Sequence, residues 1–117
     1  LSKTGRVLKD LGVKKLAFKE RLEVVNICKA VASRGARMVA ACLGAIILKM
    51  DPKVSFAHTI AIDGSVYEKH PNFSKNIKAG LKVLFGRKSS RIKLALTKDG
   101  SGIGAAITAA AACNKRR

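Results

Sequence analysis

Thr97–Ala106 reads TKDGSGIGAA, and its glycines admit three structures. Gly100, Gly102 and Ala105 match the G-x-G-x-x-G/A turn of a dinucleotide-binding fold. The same run can be another phosphate-cradling loop, or a plain glycine-rich connection from strand to helix. Context separates them. A dinucleotide fingerprint opens a β-α-β unit and is followed about 20 positions later by a carboxylate, whereas this turn closes such a unit and no acidic residue follows it. The dinucleotide reading fails. No Gly-Lys-Ser/Thr follows four spacer residues after a glycine either, which removes a Walker A loop.

Working outward, Arg91–Leu96 (RIKLAL) alternates, with Ile92, Leu94 and Leu96 on one face, as a half-buried strand does. Ser55–Ile62 (SFAHTIAI) reads as an earlier strand, and it too runs into Asp-Gly-Ser, at Asp63, Gly64 and Ser65. Between the two lies a helix announced by Pro71, carrying Phe73, Ile77, Leu81 and Leu84 on one face and stopped by Gly86. That is a β-α-β unit. Its crossover makes the strands parallel and sets both Asp-Gly-Ser turns at one carboxyl edge.

Upstream, Lys19 to about Met50 reads as one long helix. Leu22, Val25, Cys28, Val31, Ala32, Met38, Val39, Cys42, Leu43 and Ile46 recur near the 3.6-residue period, and Asp51-Pro52 supplies the stop. Its stripe is rich in small residues, Ala30, Ala32, Ala36, Ala40, Ala41, Gly44 and Ala45, which permit close approach of another element. So long a helix exceeds what a domain of this size builds for itself, and much of it is expected to pack on further polypeptide. An Ala-rich helix from Gly104 to about Cys113 and a solvated tail, Lys115–Arg117, complete an α-β-α-β-α order. Residues 1–117 form one partial domain, with 19–50 as its long helix and 55–113 as its β-α-β-α unit.

Composition narrows the partners. The 117 residues carry 24 Lys and Arg against 7 Asp and Glu, a net charge of +17. That balance raises the prospect of nucleic acid or another anion, but the lysines are spread through every segment and only five aromatics (Tyr 1, Phe 4) are available to stack on bases. Nucleic-acid binding is disfavoured. The longest apolar runs, Val39–Leu48 and Ile103–Cys113, reach about half of the ~20 residues of a membrane span, so a soluble protein without a span is expected. Leu1 opens the chain with no secretory signal pattern, which suits a piece of a longer polypeptide. Cys28, Cys42 and Cys113 form no C-x-x-C pair, and the first two lie roughly 21 Å apart along one helix, too far to bridge. Buried free thiols in the cytosol are the expectation. His58 and His70 offer no ligand spacing, and no metal site is expected.

The repeated Asp-Gly-Ser has a physical use. At the carboxyl edge of parallel strands, glycine lets the backbone approach a ligand, serine offers a hydroxyl, and the next helix's free N–H groups favour an anion. The aspartates can accept from backbone amides or a ribose, or simply shape the loops as Asx-turns.

Ile60–Phe73, IAIDGSVYEKHPNF, followed by Leu94–Ala109, LALTKDGSGIGAAITA, resembles the C-terminal part of the hexokinase family, in which these two motifs occur in this order. Leu11-Gly12, Arg21–Cys28 and Ser33–Ala41 (SRGARMVAA) are similar to that family's long helix and its approach, so the resemblance covers nearly the whole chain. Ile103 stands where many animal members carry a basic residue, which looks more like plant or protist forms. The resemblance implies the C-terminal portion of an actin-like, ribonuclease-H-like ATPase domain. It implies ATP with Mg2+ as cofactor and a hexose phosphorylated at its 6-hydroxyl.

Carried over residue by residue, Asp63, Gly64, Ser65, Val66 and Tyr67 would form the turn beside the phosphates. Gly100, Ser101 and Gly102 would line the adenosine side. Ser65 is the leading candidate, as hydroxyl donor to a phosphate oxygen. The family's catalytic aspartate, Gly-Thr phosphate turn and sugar-binding residues have no counterpart here, so no catalytic residue is assigned and the isolated chain is expected to be inactive. The +17 charge has no family explanation, which leaves a diverged, non-enzymatic basic module as the alternative.

Overall fold

The computed structural model describes residues 1–13 and 16–114, the side chains of Ser101 and Asn114 excepted, and the expected basic tail lies outside them. The elements are α1 (Ser2–Asp10), α2 (Phe18–Met50), β1 (His58–Ile62), α3 (Ser65–Lys69), α4 (Phe73–Phe85), a 3-10 stretch (Gly86–Arg91), β2 (Ile92–Leu96) and α5 (Gly100–Asn114). β1 and β2 pair in parallel, His58 against Ile92 through Ile62 against Leu96. The architecture is therefore α/β with two parallel strands, joined by a crossover that contains α3 and α4.

α2 is 33 residues long. Its first turn is capped from inside the helix, because the Glu20 carboxylate accepts the Ala17 N–H at 2.6 Å. The residues it buries are Ala36, Ala40, Gly44 and Ile47, spaced four, four and three apart along one stripe. These small side chains let α4 come close. Ile77 and Leu81 of α4 join Ala36 and Ala40 as the buried core, with Val39, Leu43, Tyr67, Phe73, Phe85, Ile92 and Leu94 packed around it. The tightest point is Gly80, where a Cβ would stand 2.7 Å from the Cβ of Ala40. Gly86, at φ +55, takes the left-handed turn that ends α4.

Several expectations are corrected. The stripe that packs is the small-residue one; Leu22, Val31, Met38 and Ile46 of the larger apolar set are exposed. All three cysteines are exposed too, so the thiols are free but not buried. Leu84 is 54% exposed although it reaches Gly44. α2 also contains an 18-residue window of mean hydropathy 1.5, so by length and composition it is able to cross a membrane, which the shorter runs in the sequence did not suggest. α1 and α3 were not anticipated, and α5 begins four residues early, at Gly100, with the Ile103 N–H already bonded to the Asp99 carbonyl.

β1 starts at His58 instead of Ser55 because the preceding backbone is committed elsewhere. The Asp51 carboxylate accepts the N–H groups of Ser55 at 2.6 Å and Phe56 at 3.0 Å, and lies 3.2 Å from His58 Nε2. Arg91 donates to the carbonyls of Val54 and Ser55, and Lys88 to that of Lys53. These bonds hold a tight bend in which Val54, 2% exposed, has φ +48.

The Phe56 amide chiefly, helped by the His58 ring and the Ser55 amide, holds the Asp51 carboxyl below the ordinary carboxylate range, against the opposite push of burial. A carboxyl whose folded pKa is depressed stabilises the fold above its unfolded value, and that stabilisation is lost as pH falls through the folded one. Asp51→Asn is therefore expected to lower the urea midpoint at pH 7 and to flatten its decline below about pH 4. Urea titrations at pH 7 and pH 3 check this, and parallel pH dependences in mutant and wild type would refute it.

Candidate functional site

Each strand delivers one glycine turn to the same end of the sheet. After Ile62, the carbonyl of that residue accepts the N–H of Thr97, extending the β1–β2 ladder by one bond at 2.9 Å. The chain at β1 then turns through Asp63 and Gly64 into α3, whereas the chain at β2 spends two more residues, Thr97 and Lys98, before its own Asp-Gly-Ser. That detour brings the second turn back over the first. A Cβ on Gly100 would lie 3.4 Å from Thr97 Oγ1 and 3.7 Å from Asp63 Oδ2, so the two turns touch.

Gly64 has φ +151 and ψ +137, a conformation open in practice to glycine alone. A Cβ there would meet nothing within 4 Å, and the same holds for Gly102. Both glycines therefore border open space. Ser65 is the first residue of α3 and is exposed, as is Val66. Tyr67 is different: it turns inward and packs against the core cluster, so it braces the first turn from behind.

At the second turn Asp99 takes the left-handed conformation, φ +57, and its carbonyl accepts the Ile103 N–H to start α5. Gly100, Ser101 and Gly102 thus make up the first turn of a 15-residue helix, where backbone N–H groups have no intrahelical acceptor and attract an anion. The side chain of Ser101 lies outside the described set. Asp63 and Asp99 shape the turns, the first with its carboxylate beside Gly100.

The structure therefore gathers Asp63, Gly64, Ser65 and Val66 with Gly100, Ser101 and Gly102 at one edge, and sets Tyr67 behind them. Sequence reasoning missed Thr97, whose hydroxyl stands against Gly100. Its position in the two-residue detour between β2 and the turn was the available signal. Among the described residues, no three His, Cys, Asp or Glu side chains converge as metal ligands.

Two glycine turns side by side at the carboxyl edge of a parallel β-α-β unit define an α/β protein whose strand ends meet at one edge. The family is more specific than that. The model of the family described as hexokinase matches residues 1–111, and the chain belongs to the hexokinase family. It is similar to hexokinase-2 of Oryza sativa subsp. japonica, 41% identical over 95% of this chain and 24% of that protein. Hexokinase-2 of Arabidopsis thaliana is 38% identical over 94% of the chain and 23% of the relative. Hexokinase-3 of Mus musculus is 31% identical over 97% of the chain and 12% of the relative. The chain thus spans about a quarter of the length of its plant relatives (24% and 23%). The higher identity to them agrees with Ile103 in the second turn.

Proposed function

We propose that this chain is the ATP-side, C-terminal segment of a hexokinase that transfers the γ-phosphoryl group of MgATP to the 6-hydroxyl of a hexose such as glucose. The contact between the Asp63–Ser65 turn and Gly100 carries the reading, since it joins both family motifs into one edge. The fit of the residues to a nucleotide rests on the glycine geometry: the backbone at Gly64 and Gly102 has room for a bulky group where any side chain would intrude. We assign the fold to the ribonuclease-H-like class on the same family ground.

In the proposed mechanism, the hydroxyl of Ser65 donates to a phosphate oxygen, and the glycine at position 64 lets the backbone lie close to it. The N–H groups at the start of α5 face the adenosine side. Tyr67 keeps the first turn from shifting as charge moves during transfer. ATP supplies the phosphoryl group, and catalysis of its transfer is a matter of positioning and electrostatics. The general base, the groups that hold magnesium with the nucleotide and the sugar pocket belong to polypeptide beyond this segment, which we propose also covers the exposed apolar face of α2. Free thiols fit a reducing compartment, and the cytosol is the location we propose.

The test is a coupled assay of the full polypeptide with glucose and MgATP. Glucose-dependent formation of glucose 6-phosphate is expected, with kcat/KM for ATP reduced about tenfold in Ser65→Ala, the size of one charge-assisted hydrogen bond. The 117-residue chain alone is expected to consume no ATP in the presence of glucose. Turnover by that chain, or no turnover by the full polypeptide, overturns the assignment.

A further inference from the structure

A concavity lies away from the glycine turns, between α1 and the first turns of α2, with a volume of about 740 Å3. That is within the range of sites for small organic ligands, roughly 300–1,000 Å3. Leu8, Val13 and Leu16 contribute apolar walls, and the polar side chains of largest charge are Arg6, Lys9 and Arg21. Among the described residues, no Asp or Glu lines it. Of the two acidic residues adjacent in sequence to the lining, Asp10 and Glu20, the latter is engaged in capping the Ala17 N–H.

Arg21 is the unusual member. Its Nε is shut off from solvent and has no hydrogen-bond partner among the described residues. A guanidinium never gives up its charge, and a shielded donor on a charged group without an acceptor costs more than an ordinary unmade bond. Gly5 favours the arrangement: a Cβ there would stand 3.2 Å from Arg21 Nη1 and 3.3 Å from its Cδ, so the bare backbone lets the side chain lie close against α1. Apolar walls beside cations lower the local dielectric and strengthen their attraction for an anion.

We propose that this concavity binds a small organic anion, its phosphate or carboxylate group held by Arg21 with Arg6 and Lys9 beside it and its apolar body against Leu8, Val13 and Leu16. The site is separate from the glycine turns and does not depend on the nucleotide reading. Arg21 pairs through the Nη groups of its guanidinium, since its Nε is closed to solvent, and the two flanking cations set the preference for charge over neutral aromatic ligands.

Calorimetric titration of the full polypeptide tests it, with a non-hydrolysable ATP analogue saturating so that the glycine turns do not contribute. Phenyl phosphate and phenylacetate are the probes for the two anionic groups, and phenol is the neutral control. Saturable binding of at least one anion, and none of phenol, is expected. Arg21→Gln should weaken it roughly tenfold or more, and Arg6→Gln, an exposed change that spares the fold, by a smaller factor. Lys78→Gln removes the same charge from an exposed position on α4 and should change nothing. Absence of anion binding to the full polypeptide overturns the proposal. So does equal binding by wild type and both arginine variants, or an equal loss in Lys78→Gln.

Discussion

Replacing Gly80 with valine is expected to unseat α4 from α2. The first atom the substitution adds would stand 2.7 Å from the Cβ of Ala40, well inside contact distance, and Ala40 is wholly buried. Neither atom is the far end of a flexible side chain, so backbone must move. Overpacking of this kind costs about 1–3 kcal/mol, a large share of the roughly 5–15 kcal/mol that holds an ordinary domain together. Valine then adds two methyl groups beyond the clash. The urea midpoint should fall accordingly, with loss of the cooperative transition as the extreme result. Gly102→Ala is the companion measurement, because a Cβ there meets nothing within 4 Å and lies inside α5. Alanine is better than glycine in a helix by up to about 1 kcal/mol, so that variant should be neutral or slightly more stable. A Gly80→Val protein that unfolds like wild type would mean that α2 and α4 do not cross at Ala40.

The second large effect is expected at Gly64, in catalysis more than in stability. At φ +151 and ψ +137 a valine is strained even though the space beside it is open. The strain, about 1–3 kcal/mol, is most easily relieved by rotating the turn. That rotation carries Ser65 away from the phosphate it is proposed to hold. Misplacement by about 1 Å can cost on the order of 100-fold in rate, so Gly64→Val in the full polypeptide should lose that much kcat while its circular dichroism stays native. Native kcat and unchanged nucleotide affinity would remove the first turn from the site.

Much of this was legible because the signals were local. Ile92, Leu94 and Leu96 alternate, Pro71 and Gly86 bracket a helix, and two Asp-Gly-Ser runs end two strands; each is a property of a few neighbouring residues. What was hidden depended on contacts across the chain. The choice between the large and the small stripe of α2 rests on Gly80 standing opposite Ala40, which periodicity on one helix does not reveal. The late start of β1 follows from the carboxylate of Asp51 and the guanidinium of Arg91 taking the backbone of residues 54–56. Tyr67 looked like a ligand-side residue in its motif, and only the tertiary fold turns it toward the core. Arg21 gave no sign at all, since its importance comes from Gly5, sixteen positions away and on another helix.

The pairing of His58 with Ile92 through Ile62 with Leu96 makes the dimension of the proposed site discrete. A strand can shift against its neighbour only in whole residues, each moving it about 3.3 Å, and a shift by one residue also inverts its faces. Ile92 and Leu94 would then leave the core and Lys93 would enter it. The gap between the two glycine turns cannot be tuned gradually by mutations in the strands. Adjustment for a larger or smaller ligand has to come from the connections beyond the strands, above all the Thr97-Lys98 detour, where a residue can be added or removed without turning the sheet inside out.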